Sequence, residues 1–301
     1  MGIKTVRAQI NGTWHTLTYD SASGAYKATI TAPGQTSFNQ SGGYYNVRVE
    51  ATNDAGTIGV ADGGTLSGLR MVVKETIAPT ITVLSPSSGA FVVNNKQPVV
   101  FNIVDEAGGS GINLSSLVVK QDGTIVASGT IKTTAITNGY SVTYTPAAAL
   151  SDGSHTVTID VSDNDGNAAV QKSTSYKVDT VPPILNVTVP GDGLITATAA
   201  LAISGKTNDA TSSPVTITIN LNGTDQGAVT VASDGSFSKT VTLAEGSNTI
   251  TITARDAAGK TSTVTKTAVL DTSVPKITAA TITPSPVDAG ASVIISVVIS
   301  G

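Results

Sequence analysis

Apolar and polar residues alternate along most of this chain. Val215, Ile217, Ile219 and Leu221 fall on one side of an extended segment while Thr216, Thr218 and Asn220 fall on the other, the period of two that turns one face of a strand toward a core. The same alternation runs through 117–119, 157–161 and 248–254, and the runs are broken by Asp122-Gly123, Asn222-Gly223 and Asp234-Gly235, pairs that accept hairpin-turn geometry. No window carries apolar residues at helical spacing. Short strands with turn signals about every 8 to 12 residues predict an all-β chain of sandwiches.

The pattern repeats on a longer scale. "ITITARDAAGKTSTVTKTAVLDTSVP" (250–275) has a counterpart in "VTIDVSDNDGNAAVQKSTSYKVDTVP" (157–182) and a looser one in "VRVEATNDAGT", followed at 74 by "KETIAP". Each copy ends on an acidic residue, a threonine and a proline: Glu75-Thr76 before Pro79, Asp179-Thr180 before Pro182, Asp271-Thr272 before Pro275. Proline fixes φ and biases its predecessor to extended backbone, so these are short, semi-rigid joints. They predict units at 1–77, 78–180 and 181–273, with a terminal segment at 274–301.

Composition narrows the chemistry. With 301 residues the chain holds two or three domains, and a period near 100 favours three small ones. Charged residues are 13% and the formal net charge is -4, with no basic cluster of the kind that displaces phosphate counterions, so nucleic acid is not an expected partner. Cysteine is absent, which excludes disulfides, thiolate metal sites and a cysteine nucleophile. Apolar runs fall far short of the roughly 20 residues of a membrane span, so no membrane insertion is expected. The start, "MGIKTVRAQING", lacks a charged head followed by an apolar core, so no signal peptide of the general secretory type is predicted.

Ala254 to Ser262, "ARDAAGKTS", then a strand, then Val269 to Pro275, "VLDTSVP", resembles the bacterial immunoglobulin-like repeats of large surface adhesins and of tailed-phage virion proteins. The resemblance covers 80–275 well and the ends less well. It implies tandem Ig-like β-sandwiches in a linear array, each about 30 to 40 Å long, together a rod of order 100 Å. In the third unit it implies strands A and B at about 184–189 and 198–204, C from Pro214, C′ near 227–232, E from Ser236, F from Thr249 and G from Thr261; B of the second unit falls near 98–104. Residues 5–30 align with 215–241, so the first unit is expected to open at strand C and to lack A and B. The terminal segment reads as an A/B-like pair, with Ile294, Ile295, Val297 and Ile299 the strand-donating positions, completing a sheet in another copy or another protein; folding back over the third unit is the alternative.

Acidic residues gather where the sandwich topology brings the BC and FG loops beside the incoming linker. Glu75 is expected to meet Asp105, Glu106, Asp163 and Asp165, and Asp179 to meet Asp209 and Asp256. Hard cations take six to eight oxygens, several of them carboxylate, and adhesin repeats of this resemblance bind calcium at such joints, so Ca2+ is the expected ion. The plainer reading is that Asp and Asn form tight turns; Asp271 is expected to be only a linker residue. The two histidines, His15 and His155, have no G-x-S-x-G or equivalent beside them, and no enzyme is expected. Of the twelve aromatics, six lie in the first 45 residues. Tyr19 and Tyr26 read as core, while Trp14, Tyr44 and Tyr45 read as an exposed contact for a host cell-surface glycan or protein.

Two functions fit these expectations. One is a structural and host-attachment protein of a tailed-phage virion (tail, baseplate or fibre accessory), partnered by other virion proteins or further copies of itself. A bare Met1 start suits a protein assembled in the host cytoplasm and released by lysis. The other is a calcium-stiffened stalk segment of an adhesin at the bacterial cell surface.

Overall fold

A computed structural model describes residues 2–301. It is all-β apart from three single-turn 3-10 segments. The chain divides into two compact units, one ending at Val178 and the other beginning at Asp179.

The earlier unit holds two bodies, the second of them a two-sheet sandwich. In the second of these, a four-stranded sheet ordered Ile131–Ile136, Gly139–Tyr144, Val99–Val104, Thr80–Ser85 accompanies a five-stranded sheet ordered Thr124–Ile125, Ile112–Gln121, Gly153–Asp163, Lys172–Val178, Ala90–Val92. Alternation does the sorting: Val99, Phe101 and Ile103 from one sheet and Val157 and Ile159 from the other are all 0% exposed and share one core cluster, while the intervening Val100, Asn102 and Thr158 are only half-buried. The hairpin Asp122-Gly123 turns with φ of 51° and 81°, the left-handed pair that matches strand twist. Gly139 has a different role. A Cβ there would stand 2.0 Å from the carbonyl oxygen of Ile103 on the neighbouring strand, so only glycine lets these two strands begin to pair.

The later unit repeats that plan. Ile184–Val189, Ala200–Asn208 and Ser236–Thr242 form one sheet, and Leu194–Thr196, Thr261–Leu270, Gly246–Arg255, Thr216–Leu221 and Thr224–Asp225 the other. The core joins Leu201, Ile203, Ile217, Ile219, Phe237, Ile250 and Ile252. Around 227–232 only isolated bridges occur, Val229 to Ile217 and Val231 to Phe237; the strand paired outside Thr216–Leu221 is instead Thr224–Asp225.

The first body differs. Its single large sheet runs Ala25–Lys27, Thr13–Asp20, Ile3–Ile10, Arg48–Asn53, Ile58–Ala61, and a two-residue pairing joins Tyr45–Asn46 to Arg70–Met71. Among the described residues it has no sheet like Ile184–Val189 with Ala200–Asn208 and Ser236–Thr242 to cover the inner face. Among the described residues its buried apolar side chains are Val6, Ala8 and Tyr45. Tyr19, read from the sequence as core, is therefore 55% exposed, its ring tilted at 58° to that of Tyr26 with 5.2 Å between centroids.

Lys276–Thr283 and Ile294–Ser300 close the chain as an antiparallel two-stranded sheet. Every residue of both strands is exposed.

Candidate metal centres

The loop that follows Val99–Val104 carries Asp105 and Glu106, and the segment leading into Thr80–Ser85 carries Glu75. One carboxylate oxygen from each lies within 4.8 Å of the others. Asp105 is 4% exposed; its Oδ2 accepts from the Gly111 amide at 2.7 Å, while its Oδ1 is buried with no hydrogen-bond partner, as is Glu106 Oε2. Glu75 Oε1 accepts from Ser110 Oγ at 3.0 Å and Oε2 from the Ile77 amide at 2.8 Å. Burial first, and then the adjacent Asp105 carboxylate, push the Glu106 carboxyl up to about 7. Orphaned buried oxygens are rare because each costs its full desolvation.

Asp163 and Asp165, grouped with these residues in the sequence reading, both lie beside Glu75 and are held by further hydrogen bonds. Asp163 is fully buried and caps its own turn, accepting from the amides of Gly166 at 2.6 Å and Asn167 at 2.8 Å and from the Asn167 side chain at 2.7 Å. Burial works to raise its carboxyl, but the Asn167 bonds outweigh it and hold the group below its ordinary value. Asp165 Oδ2 accepts from Thr36 Oγ1 at 2.5 Å and from the Glu75 amide at 3.1 Å. With Asn39 donating to the Gly109 carbonyl at 2.7 Å, it latches the first body to the second.

The later unit builds a more deeply buried cluster, with Asp179 at the place of Glu75, Asp209 at that of Asp105 and Asp256 at that of Asp163. Asp179, Asp209 and Asp256 are 0%, 9% and 5% exposed, and their oxygens again lie within 4.8 Å of one another. Ser212 ties two of them together, its hydroxyl donating to Asp179 Oδ2 and its amide to Asp209 Oδ1 at 2.7 Å. Asp256 Oδ1 accepts from the Lys260 amide at 2.8 Å, and its Oδ2 has no partner. No lysine, arginine or histidine forms an ion pair with any of the three among the described residues.

Three buried carboxylates without a counter-charge are costly. All-oxygen donors with unsatisfied lone pairs are what Ca2+ or Mg2+ takes, and nothing in either cluster offers the sulfur or nitrogen that a softer ion prefers. Both clusters therefore fit a hard divalent cation. Asp271 Oδ1 instead accepts from the Ser273 amide at 3.0 Å and hydroxyl at 2.5 Å, a local turn.

The aromatic candidates separate. Trp14 lies under the Arg7 guanidinium, 4.1 Å from the ring centroid, and Arg7 also bonds Glu50 at 2.7 Å. That bond, against the pull of burial, holds the Glu50 carboxyl below its usual value. Tyr44 is half-buried beside Arg70, 5.0 Å from its ring. Tyr45 is no surface residue: it is 4% exposed, and its hydroxyl donates to the Gln35 carbonyl at 3.1 Å. His155, which reads from the sequence as a decoration on its strand, is 7% exposed, with Nδ1 at 2.7 Å from Asp122 Oδ2 and Nε2 at 2.8 Å from the Ser151 carbonyl.

Residues 88–180 match the family model of a bacterial Ig-like domain, and 183–272 match that of glucodextranase, domain B. No curated protein matches the chain. Among solved structures, the tetra-tandem repeat in the extending region of a large adhesion protein is 20% identical, covering 99% of this chain and 80% of that one, TM-score 0.34. The fibronectin(III)-like modules of Clostridium thermocellum CbhA are 17% identical over 64% of this chain and 94% of theirs, TM-score 0.40. Domains A168-A170 of titin are 12% identical over 87% and 85%, TM-score 0.41. The two stretches that match family models, 88–180 to a bacterial Ig-like domain and 183–272 to glucodextranase domain B, each span most of a two-sheet β-sandwich in a chain that is nearly all-β.

Proposed function

We propose that the chain is a non-enzymatic structural and adhesive protein, a tail, baseplate or fibre accessory of a tailed-phage virion. The observation that carries this reading is the build of two-sheet β-sandwiches, each with its own apolar core, separated by a short proline-closed linker. Trp14 and Tyr44 remain as a contact surface for a host glycan or protein. The test is immunogold electron microscopy on particles and cells of the organism carrying the gene: label on tails supports the virion reading, and label confined to the cell envelope overturns it.

The carboxylate clusters favour a second reading, a stalk segment of a bacterial surface adhesin stiffened by calcium at Glu75, Asp105 and Glu106 and at Asp179, Asp209 and Asp256. Under it, label lies on the envelope, and chelation changes the dimensions of the rod in small-angle scattering without unfolding its sandwiches.

A further inference from the structure

The two carboxylate clusters differ in what lies beside them. In the later unit the loop after Ala200–Asn208 reads Asp209-Ala210-Thr211-Ser212-Ser213, and Asp179, Asp209, Ser212 and Asp256 are all at most 9% exposed. A cation there is shut in. In the second body the corresponding loop, 105–111, reads Asp-Glu-Ala-Gly-Gly-Ser-Gly. Asp105 is buried, but Glu75 and Glu106 are only half-buried. A Cβ at Gly109 would stand 2.6 Å from both Asp105 Oδ2 and Glu106 Oε1, so glycine is what lets the two carboxylates approach that loop together.

Against Asp105 and Glu106 lies a cavity of about 480 Å³, within the range of small-ligand sites. Asn39, Asn138 and Asn164 contribute to its polar lining, and Ile136 and Tyr140 to its apolar lining. Among the described residues, none that lines it is lysine or arginine.

These features select an occupant. Asp105 Oδ1 and Glu106 Oε2 are buried with no hydrogen-bond partner, two oxygens available to a cation. Three carboxylates supply three to six oxygens where a hard cation takes six to eight, so about two positions are left to be filled from the cavity side. Three carboxylates outweigh a divalent cation, and Asp165, whose Oδ2 accepts from the Glu75 amide, adds to the negative charge. An anionic ligand is therefore repelled, with no basic side chain in the lining to hold it. A neutral donor of two adjacent oxygens is favoured instead. The vicinal hydroxyls of a sugar have that form, its C–H face suits Tyr140 and Ile136, and its remaining hydroxyls suit asparagine amides.

We propose that a cation held by Glu75, Asp105 and Glu106 binds a neutral glycan through a vicinal diol seated in this cavity. The Glu75 cluster is then a binding centre and the Asp179 cluster a structural one. This rests on the calcium reading above and gives that site a ligand.

The test counts water on the bound ion. Europium(III) is a hard cation that takes oxygen donors, and its luminescence decay in H2O against D2O gives the number of waters it carries. A full-length chain with Asp179→Asn, Asp209→Asn and Asp256→Asn, loaded with europium(III), is expected to carry about two waters at the Glu75 cluster. The methyl glycosides of glucose, mannose and galactose between them present cis and trans vicinal diols. At tens of millimolar, at least one of them is expected to remove both waters, and its fully O-methylated form none. The unsubstituted chain, loaded at both sites, is expected to show the same loss in one decay component only, which keeps the test independent of how the triple variant folds. Waters left in place by all three glycosides, or displaced equally by the O-methylated form, overturn the proposal while the cation reading stands. An ion that carries no water does the same. Failure to bind europium(III) overturns both.

Discussion

Asp256→Asn should stabilise the protein without calcium and cripple its response to calcium. Oxygens of Asp179, Asp209 and Asp256 lie within 4.8 Å of one another, and two unit charges at that distance repel by roughly 3.5 kcal/mol at an effective dielectric constant near 20. Asparagine keeps the bond from the Lys260 amide and replaces the orphaned Oδ2 with an amide that can donate to a neighbouring carboxylate. The expected gain in EDTA is about 2–4 kcal/mol, and each kcal/mol raises Tm by roughly 4–8 °C in a body of this size. Calcium at about 100 times its Kd adds about 2.7 kcal/mol to the wild type, and the variant should lose most of that increment. Scanning calorimetry of both full-length chains, with EDTA and with calcium, reads the two effects together. A variant that melts lower in EDTA and gains as much from calcium as the wild type refutes the reasoning.

Glu106, held near 7, must release its proton to bind a cation, so calcium affinity at the Glu75 cluster is expected to rise from pH 6 to pH 8; calorimetric titration in two buffers of different ionisation enthalpy should detect proton release, and equal heats contradict it. His155 has acceptors on both ring nitrogens, and although burial opposes the charged form, Asp122 and the Ser151 carbonyl raise its pKa above 6.5. Its stabilisation is therefore complete below the unfolded value of about 6.5 and fades as pH climbs through the higher folded value. Urea midpoints should fall from pH 6 to pH 8.5, and in His155→Gln that slope should flatten. Gly139→Ala should cost at least 2–3 kcal/mol by forcing strands apart against the Ile103 carbonyl; a chemical-denaturation loss under about 0.5 kcal/mol contradicts that close approach.

Strand identity was readable because a period of two sorts Val215 to Leu221 without any knowledge of the partner, and the loop carboxylates of the Asp179 cluster were readable because sandwich topology brings those loops together. Cover was not readable. Tyr19 has the alternation of a core residue, yet its sheet has no second layer, and Tyr45 is buried by a loop and a two-residue pairing that carry no periodic signal. The His155 to Asp122 pair spans 33 residues and depends on strand register. Asp163 and Asp165 show that a carboxylate in a turn and a carboxylate on a metal occupy the same kind of sequence: both lie beside Glu75, and both are also tied into turn and linker hydrogen bonds. Ser110 and Ser212, which organise the two clusters, are indistinguishable in sequence from the many serines of the loops.

The most direct measurement is calorimetric titration of calcium into the EDTA-stripped protein and into a variant with Asp179, Asp209 and Asp256 all replaced by asparagine. Two hard-cation clusters predict saturable binding in the parent and the loss of one site in the variant. No binding to the parent, or the same number of sites in the variant, would contradict it.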